Sequence, residues 1–147
     1  MNKNKFLTTR SQGFSLIELL VVVAILGVLA SVGVFAYSGY VKSAKIKSVE
    51  NLMQQISLAQ SEYKADYDDY VYTGCPAKEA TSLKIEKDLL GNEKDKREII
   101  KDDIGYHFCI ISSSDYYQIQ ALEQNNDKPC QITLNGKTLG ITKGSNC

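Results

Sequence analysis

At 147 residues, 44% of them hydrophobic, the chain is long enough for one ordinary domain and short for two. Lys and Arg total 17, as do Asp and Glu, so no basic excess exists to hold a polyphosphate backbone, and general nucleic-acid binding is not the first reading. A single His and no Trp leave few groups for acid–base or metal chemistry; the composition argues against an enzyme and calls for no cofactor.

The chain opens with a basic leader, Lys3, Lys5 and Arg10, with no acid before Gly13. Residues 19–41 then carry no charge and are apolar on every face. As a helix they would measure roughly 34 Å, enough to cross a hydrocarbon core of about 30 Å. A cleaved secretory signal, with Val28-Leu29-Ala30 as its cut site, a plain single-span anchor and a buried helix of a soluble protein are the competing readings. Length disfavours the last. Glu18 disfavours the first two, because a carboxylate at the start of an apolar run costs insertion energy and gives a signal or simple anchor nothing in return.

Gly13-Phe14-Ser15-Leu16-Ile17-Glu18, set between a short basic leader and an apolar helix, resembles the cleavage region of type IV prepilins, the family of type IV pilins and type II secretion pseudopilins. The resemblance covers residues 10–40. It implies that a prepilin peptidase on the cytoplasmic side cuts between Gly13 and Phe14 and methylates the new amine of Phe14. It also implies that Glu18 pairs with the amine of a neighbouring chain in the filament and so sets axial register. Elementary chemistry is compatible with this: Gly13 lets the backbone enter an active site in conformations larger residues resist, and the cut creates a cation four residues from a lone anion. The sequence departs from many members of the family in having Phe35 where a helix-kinking proline would fall. Gly27, Gly33 and Gly39 recur every six residues, each weakening a helix by about 1 kcal/mol relative to Ala. They suit either close helix packing or local melting between residues 27 and 35 on assembly. Orientation by charge is a draw, since Lys42, Lys45 and Lys47 follow the span. The resemblance puts the leader in the cytoplasm and the head in the periplasm, which also places the cysteines in an oxidising compartment.

Past the span, Ile46, Val49, Met53, Ile56, Tyr63, Tyr67 and Tyr70 follow steps of three and four, interrupted by the polar Gln60. This predicts that the helix continues, amphipathic, over 42–70 and packs a head on that stripe. Residues 71–105 read as a connecting loop dominated by charges of both signs, solvated or making contacts between subunits, with room for a short helix ending near Gly91. Strands are predicted at 106–111 and 116–122, joined by a turn at 112–115. Two more, at 131–134 and 138–141, flank Asn135-Gly136, a signal for a tight hairpin. The fold class is therefore α+β and pilin-like: a long N-terminal helix, its first half transmembrane and its second amphipathic, on an antiparallel sheet of about four strands.

Cys75, Cys109, Cys130 and Cys147 allow three disulfide pairings, and their spacing matches no zinc motif. The resemblance to pilins favours Cys130 with Cys147, closing a C-terminal loop, which leaves Cys75 for Cys109. His107 reads as structural. No acidic cluster of calcium-loop spacing stands out near the C-terminus, so no metal is expected. The function implied is a structural subunit of a type IV pilus filament, a homo-oligomer stored in the inner membrane before a dedicated assembly machinery moves it to the extracellular fibre. The alternatives are a minor pilin or pseudopilin, a plain envelope protein with its leader intact, and a tip subunit that contacts DNA or an adhesion target weakly through Lys128, Lys137 and Lys143.

Overall fold

A computed structural model describes residues 13–92, 99–113 and 116–147, without the side chains of Phe35 and Ser113. By internal contacts the chain divides into two units, Met1–Val41 and Lys42–Cys147. Most of the leader, the middle of the charged connection and residues 114 and 115 of the first expected turn lie outside the described residues.

One helix, α1 (Leu16–Tyr67), runs without a break through Gly27, Gly33 and Gly39. From Leu16 to Tyr40 its described side chains are exposed on every face, as a uniformly apolar segment must be when its own chain supplies nothing to cover it. The helix is long and apolar enough to cross a membrane. It ends where Asp68 takes a left-handed φ of 57°, with the Lys64 ammonium paired to the Asp68 carboxylate at 3.1 Å.

In the second unit, Ile46, Val49, Leu52, Met53 and Ile56 of α1 are buried against a four-stranded sheet. The strands are β1 (Tyr106–Ser113), β2 (Tyr116–Glu123), β3 (Gln131–Asn135) and β4 (Ile141–Lys143), all antiparallel, in the spatial order β1-β2-β3-β4. Alternation supplies the inner face: Tyr106, Phe108 and Ile110 from β1, Tyr117, Ile119 and Ala121 from β2, Ile132 and Leu134 from β3.

The end of the predicted stripe differs. Tyr67 is 67% exposed and stacks on Tyr63, ring centroids 4.5 Å apart, because the sheet's inner face reaches only as far as Tyr117, level with Ser57, and leaves the last helical turn uncovered. Gln60, the polar interruption, is fully buried: its side-chain amide donates to Val71 O at 2.6 Å and accepts from Val71 N–H at 2.9 Å. Both polar ends are thus satisfied, and the chain leaving α1 is tied back onto it.

The stretch after α1 is less solvated than its charge suggested. Helix α2 (Glu79–Asp88) buries Ser82, Ile85 and Glu86. The Glu86 carboxylate accepts from Asn92 Nδ2 and, at 2.6 Å, from Ile100 N–H, bracketing the charged segment between them. The outer edge of β1 is covered by the same stretch. Ile110 O accepts from the N–H groups of Thr73 and Gly74 at 3.0 and 3.1 Å, and Ile110 N–H donates to Thr73 Oγ1. Phe108 N–H donates to Ser82 Oγ, and Phe108 O accepts from Thr81 Oγ1.

The last strand falls at Ile141–Lys143, where 138–141 was expected. Asn135-Gly136 does not close a two-residue turn. Gly136 N–H instead donates to Tyr117 O, extending β3 against β2. The Asn135 side chain accepts from the N–H groups of Lys137 and Thr138, and Leu139 turns the chain with a φ of 56°. Gly136 is needed for another reason: a methyl there would stand 2.7 Å from the Tyr117 ring. That ring is held by a 2.6 Å hydrogen bond between Tyr117 Oη and Ser57 Oγ, and burial pushes the phenol pKa up. Gly136→Ala is expected to cost about 1 to 3 kcal/mol by overpacking. Denaturant unfolding checks it, and an unchanged midpoint would show that the Tyr117 ring moves freely.

Candidate functional site at the helix N-terminus

Gly13, Phe14 and Ser15 precede α1 outside any regular element, and Phe14 is 85% exposed. Ser15 is the residue before the first helical turn, and its N–H donates to Glu18 Oε2 at 2.9 Å, while Leu19 N–H bonds to Ser15 O. This is the return half of a Ser-x-x-Glu capping arrangement, in which the third helical residue reaches back to the cap. The signal for it in the sequence is Ser15-Leu16-Ile17-Glu18 itself. The carboxylate lies at the positive end of the helix dipole. Glu18 therefore has an intramolecular partner at the backbone of Ser15, and its side chain is exposed and open to a second one. A Cβ at Gly27, Gly33 or Gly39 would meet nothing within 4 Å, so nothing in the single chain accounts for glycine there.

The remaining predicted residues lie in the sheet-bearing unit. Cys75 is bridged to Cys109, Cα atoms 5.4 Å apart, and Cys130 to Cys147, 4.6 Å apart. The first bridge fastens the chain after α1 to the outer face of β1; the second fastens the C-terminus beside the start of β3. His107 shares the outer face of β1 with Cys109, and its Nδ1 lies 3.1 Å from Gln124 Nε2. The three lysines considered for DNA do not form a patch. Lys128 precedes β3 and Lys137 follows it, so the length of that strand, about 16 Å, separates them.

Lys143 is engaged elsewhere. Its ammonium lies 2.6 Å from Glu50 on α1, and Lys47 reaches the other oxygen of the same carboxylate at 2.7 Å. The hydrogen bonds from Lys143 and then Lys47 hold the Glu50 carboxyl below its ordinary pKa. A depressed carboxyl pKa stabilises the fold above the unfolded value of about 4.3, and that contribution fades as pH falls through the folded value. Glu50→Gln is expected to cost about 1 kcal/mol or less at neutral pH and nothing in strong acid. Melting curves at both pH values check this, and an equal loss at both would refute the charge pairing.

Comparisons with known proteins include this end of the chain. A family model described as the prokaryotic N-terminal methylation motif matches residues 8–34. The fimbrial protein of Neisseria meningitidis serogroup B is 34% identical over 79 residues, which is 54% of this chain and 46% of that protein. Fimbrial protein EcpC of Eikenella corrodens is 42% identical over 55 residues, 37% of this chain and 36% of that protein. The type IV major pilin protein PilE of Neisseria gonorrhoeae is 36% identical over 79 residues, 54% and 44% of the two chains. The chain thus spans less than half the length of the curated relatives it matches. No solved structure matches it. A methylation motif opening a long apolar helix, and likeness to fimbrial proteins over about half of the chain, are what this chain shares with type IV pilins, beside a four-stranded antiparallel sheet on the second half of the helix.

Proposed function

We propose that the chain is a structural subunit of a type IV pilus-like filament. A prepilin peptidase removes residues 1–13 and methylates Phe14. Residues 14–41 then hold the subunit in the inner membrane, leader side in the cytoplasm and head in the periplasm, until the assembly machinery adds it to the fibre. The observation that carries this reading is the apolar half of α1, exposed at every described side chain from Leu16 to Tyr40 and opened by a single carboxylate. Such a surface needs lipid before assembly and other helices after it. Because lipid tails are as apolar as Leu, the exchange must be driven by packing, polar pairing and head contacts. The unfilled space at Gly27, Gly33 and Gly39 supports close approach of neighbouring helices.

The N-terminal mass of the protein from membranes and from sheared surface fibres tests the proposal. The expected species begins at N-methylated Phe14 in both fractions. A chain that still begins at Met1, or that never enters fibres, would overturn it.

A further inference from the structure

The lysines at the foot of the sheet-bearing unit are not explained by filament formation. With the leader in the cytoplasm, Lys42, Lys45 and Lys47 follow the span on its far side, against the usual cytoplasmic bias of basic residues. Lys143 joins them from β4, since it shares Glu50 with Lys47. One carboxylate thus answers two ammonium groups. Lys42 donates to Asn146 O at 3.2 Å, a neutral carbonyl that leaves its charge intact. Lys45 is exposed beside Gly105. Among the described residues no carboxylate pairs with Lys42 or Lys45. Immediately before them on α1 stand Tyr37 and Tyr40, 70% and 73% exposed. Aromatic residues followed by long cationic side chains, at the end of an apolar run, form the sequence of groups that suits a membrane–water interface.

We propose that Lys42 and Lys45, within a collar completed by Lys47 and Lys143, bind the phosphate groups of anionic phospholipids at the surface where the apolar run leaves the membrane. Lys42 is bonded directly to Val41, so its ammonium stays within a side chain's reach of that surface. The net charge of the collar remains positive after Glu50 is counted, and fixed phosphates of a lipid surface complement it. The inference rests on the membrane-anchored reading above.

The full chain is reconstituted in vesicles of phosphatidylcholine alone or rich in phosphatidylglycerol, and its lysines are briefly acetylated and quantified by mass spectrometry. Lys42 and Lys45 are expected to react about fivefold more slowly in the anionic vesicles, a difference erased by high salt. Lys137, beyond the far end of β3, should react equally in both. Equal rates at Lys42 and Lys45 in a chain that floats with both vesicles would overturn this proposal alone, as would equal slowing at Lys137. Protection by inorganic phosphate in neutral vesicles would assign the collar to soluble anions and also overturn it. A chain that floats with neither vesicle overturns membrane anchoring itself.

Discussion

Replacing Glu18 with valine is expected to give a chain that inserts, loses its leader and enters no filament. Two effects of the change can be separated by size. Loss of the bond from Ser15 N–H weakens the start of α1 by about 1 kcal/mol, enough to fray a turn of a 52-residue helix and too little to prevent assembly. If Glu18 pairs with the amine of a neighbouring chain in the filament, loss of the carboxylate would leave that ammonium buried without a partner, a penalty of about 3 to 5 kcal/mol per subunit. Glu18→Gln distinguishes them, because glutamine can still cap the helix and cannot neutralise the amine. Fibre yield in sheared fractions, set against subunit in membranes, is the measurement. Normal fibres from the glutamine variant would mean that Glu18 acts as a cap and that register is set elsewhere.

The second large effect is expected at the C-terminus. The Cys130–Cys147 bridge closes a separation of 17 residues, worth about 3 kcal/mol in the chain-entropy model. Little else holds the segment: β4 has three residues, and its main attachment outside the sheet is the Lys143–Glu50 pair. Cys75–Cys109 closes a longer loop of 34, but the hydrogen bonds from Thr73 and Gly74 to Ile110 hold the same place independently. A Cys130→Ser/Cys147→Ser double variant should therefore lose hydrogen-exchange protection at Thr142 and Gly144 while β1 and β2 keep theirs. Unchanged protection at those two amides would show that the bridge is dispensable to β4.

Much of this architecture follows from periodicity, and the departures arise where one side chain overrides it. The apolar run, the stripe from Ile46 to Ile56 and the alternation in β1 to β3 repeat a single physical requirement, so pattern reveals them. Gln60 looked like a flaw in the stripe because its justification, the backbone of Val71, belongs to a segment with no pattern of its own. Glu86 looked like one surface charge among many, yet it is fully buried on Asn92 and Ile100. Asn135-Gly136 carries a genuine turn signal, but the Tyr117 ring and carbonyl claim the glycine first, and the chain reverses later. Lys137 is parted from Lys128 by the length of β3, and Lys143 is drawn to Glu50; both are matters of topology. At the candidate site, Glu18 stands out as a lone charge, whereas its bond to Ser15 follows from a capping pattern of four residues.

The covering of β1 bears on how such a protein is stored. A sheet edge with free amides and carbonyls recruits other strands, and subunits concentrated in a membrane would offer one another many such edges. Here Thr73, Thr81 and Ser82 occupy one margin, and the opposite margin is only three residues long. If the proposed filament role holds, heads crowded together would therefore touch without knitting into β-aggregates, and polymerisation would be left to α1.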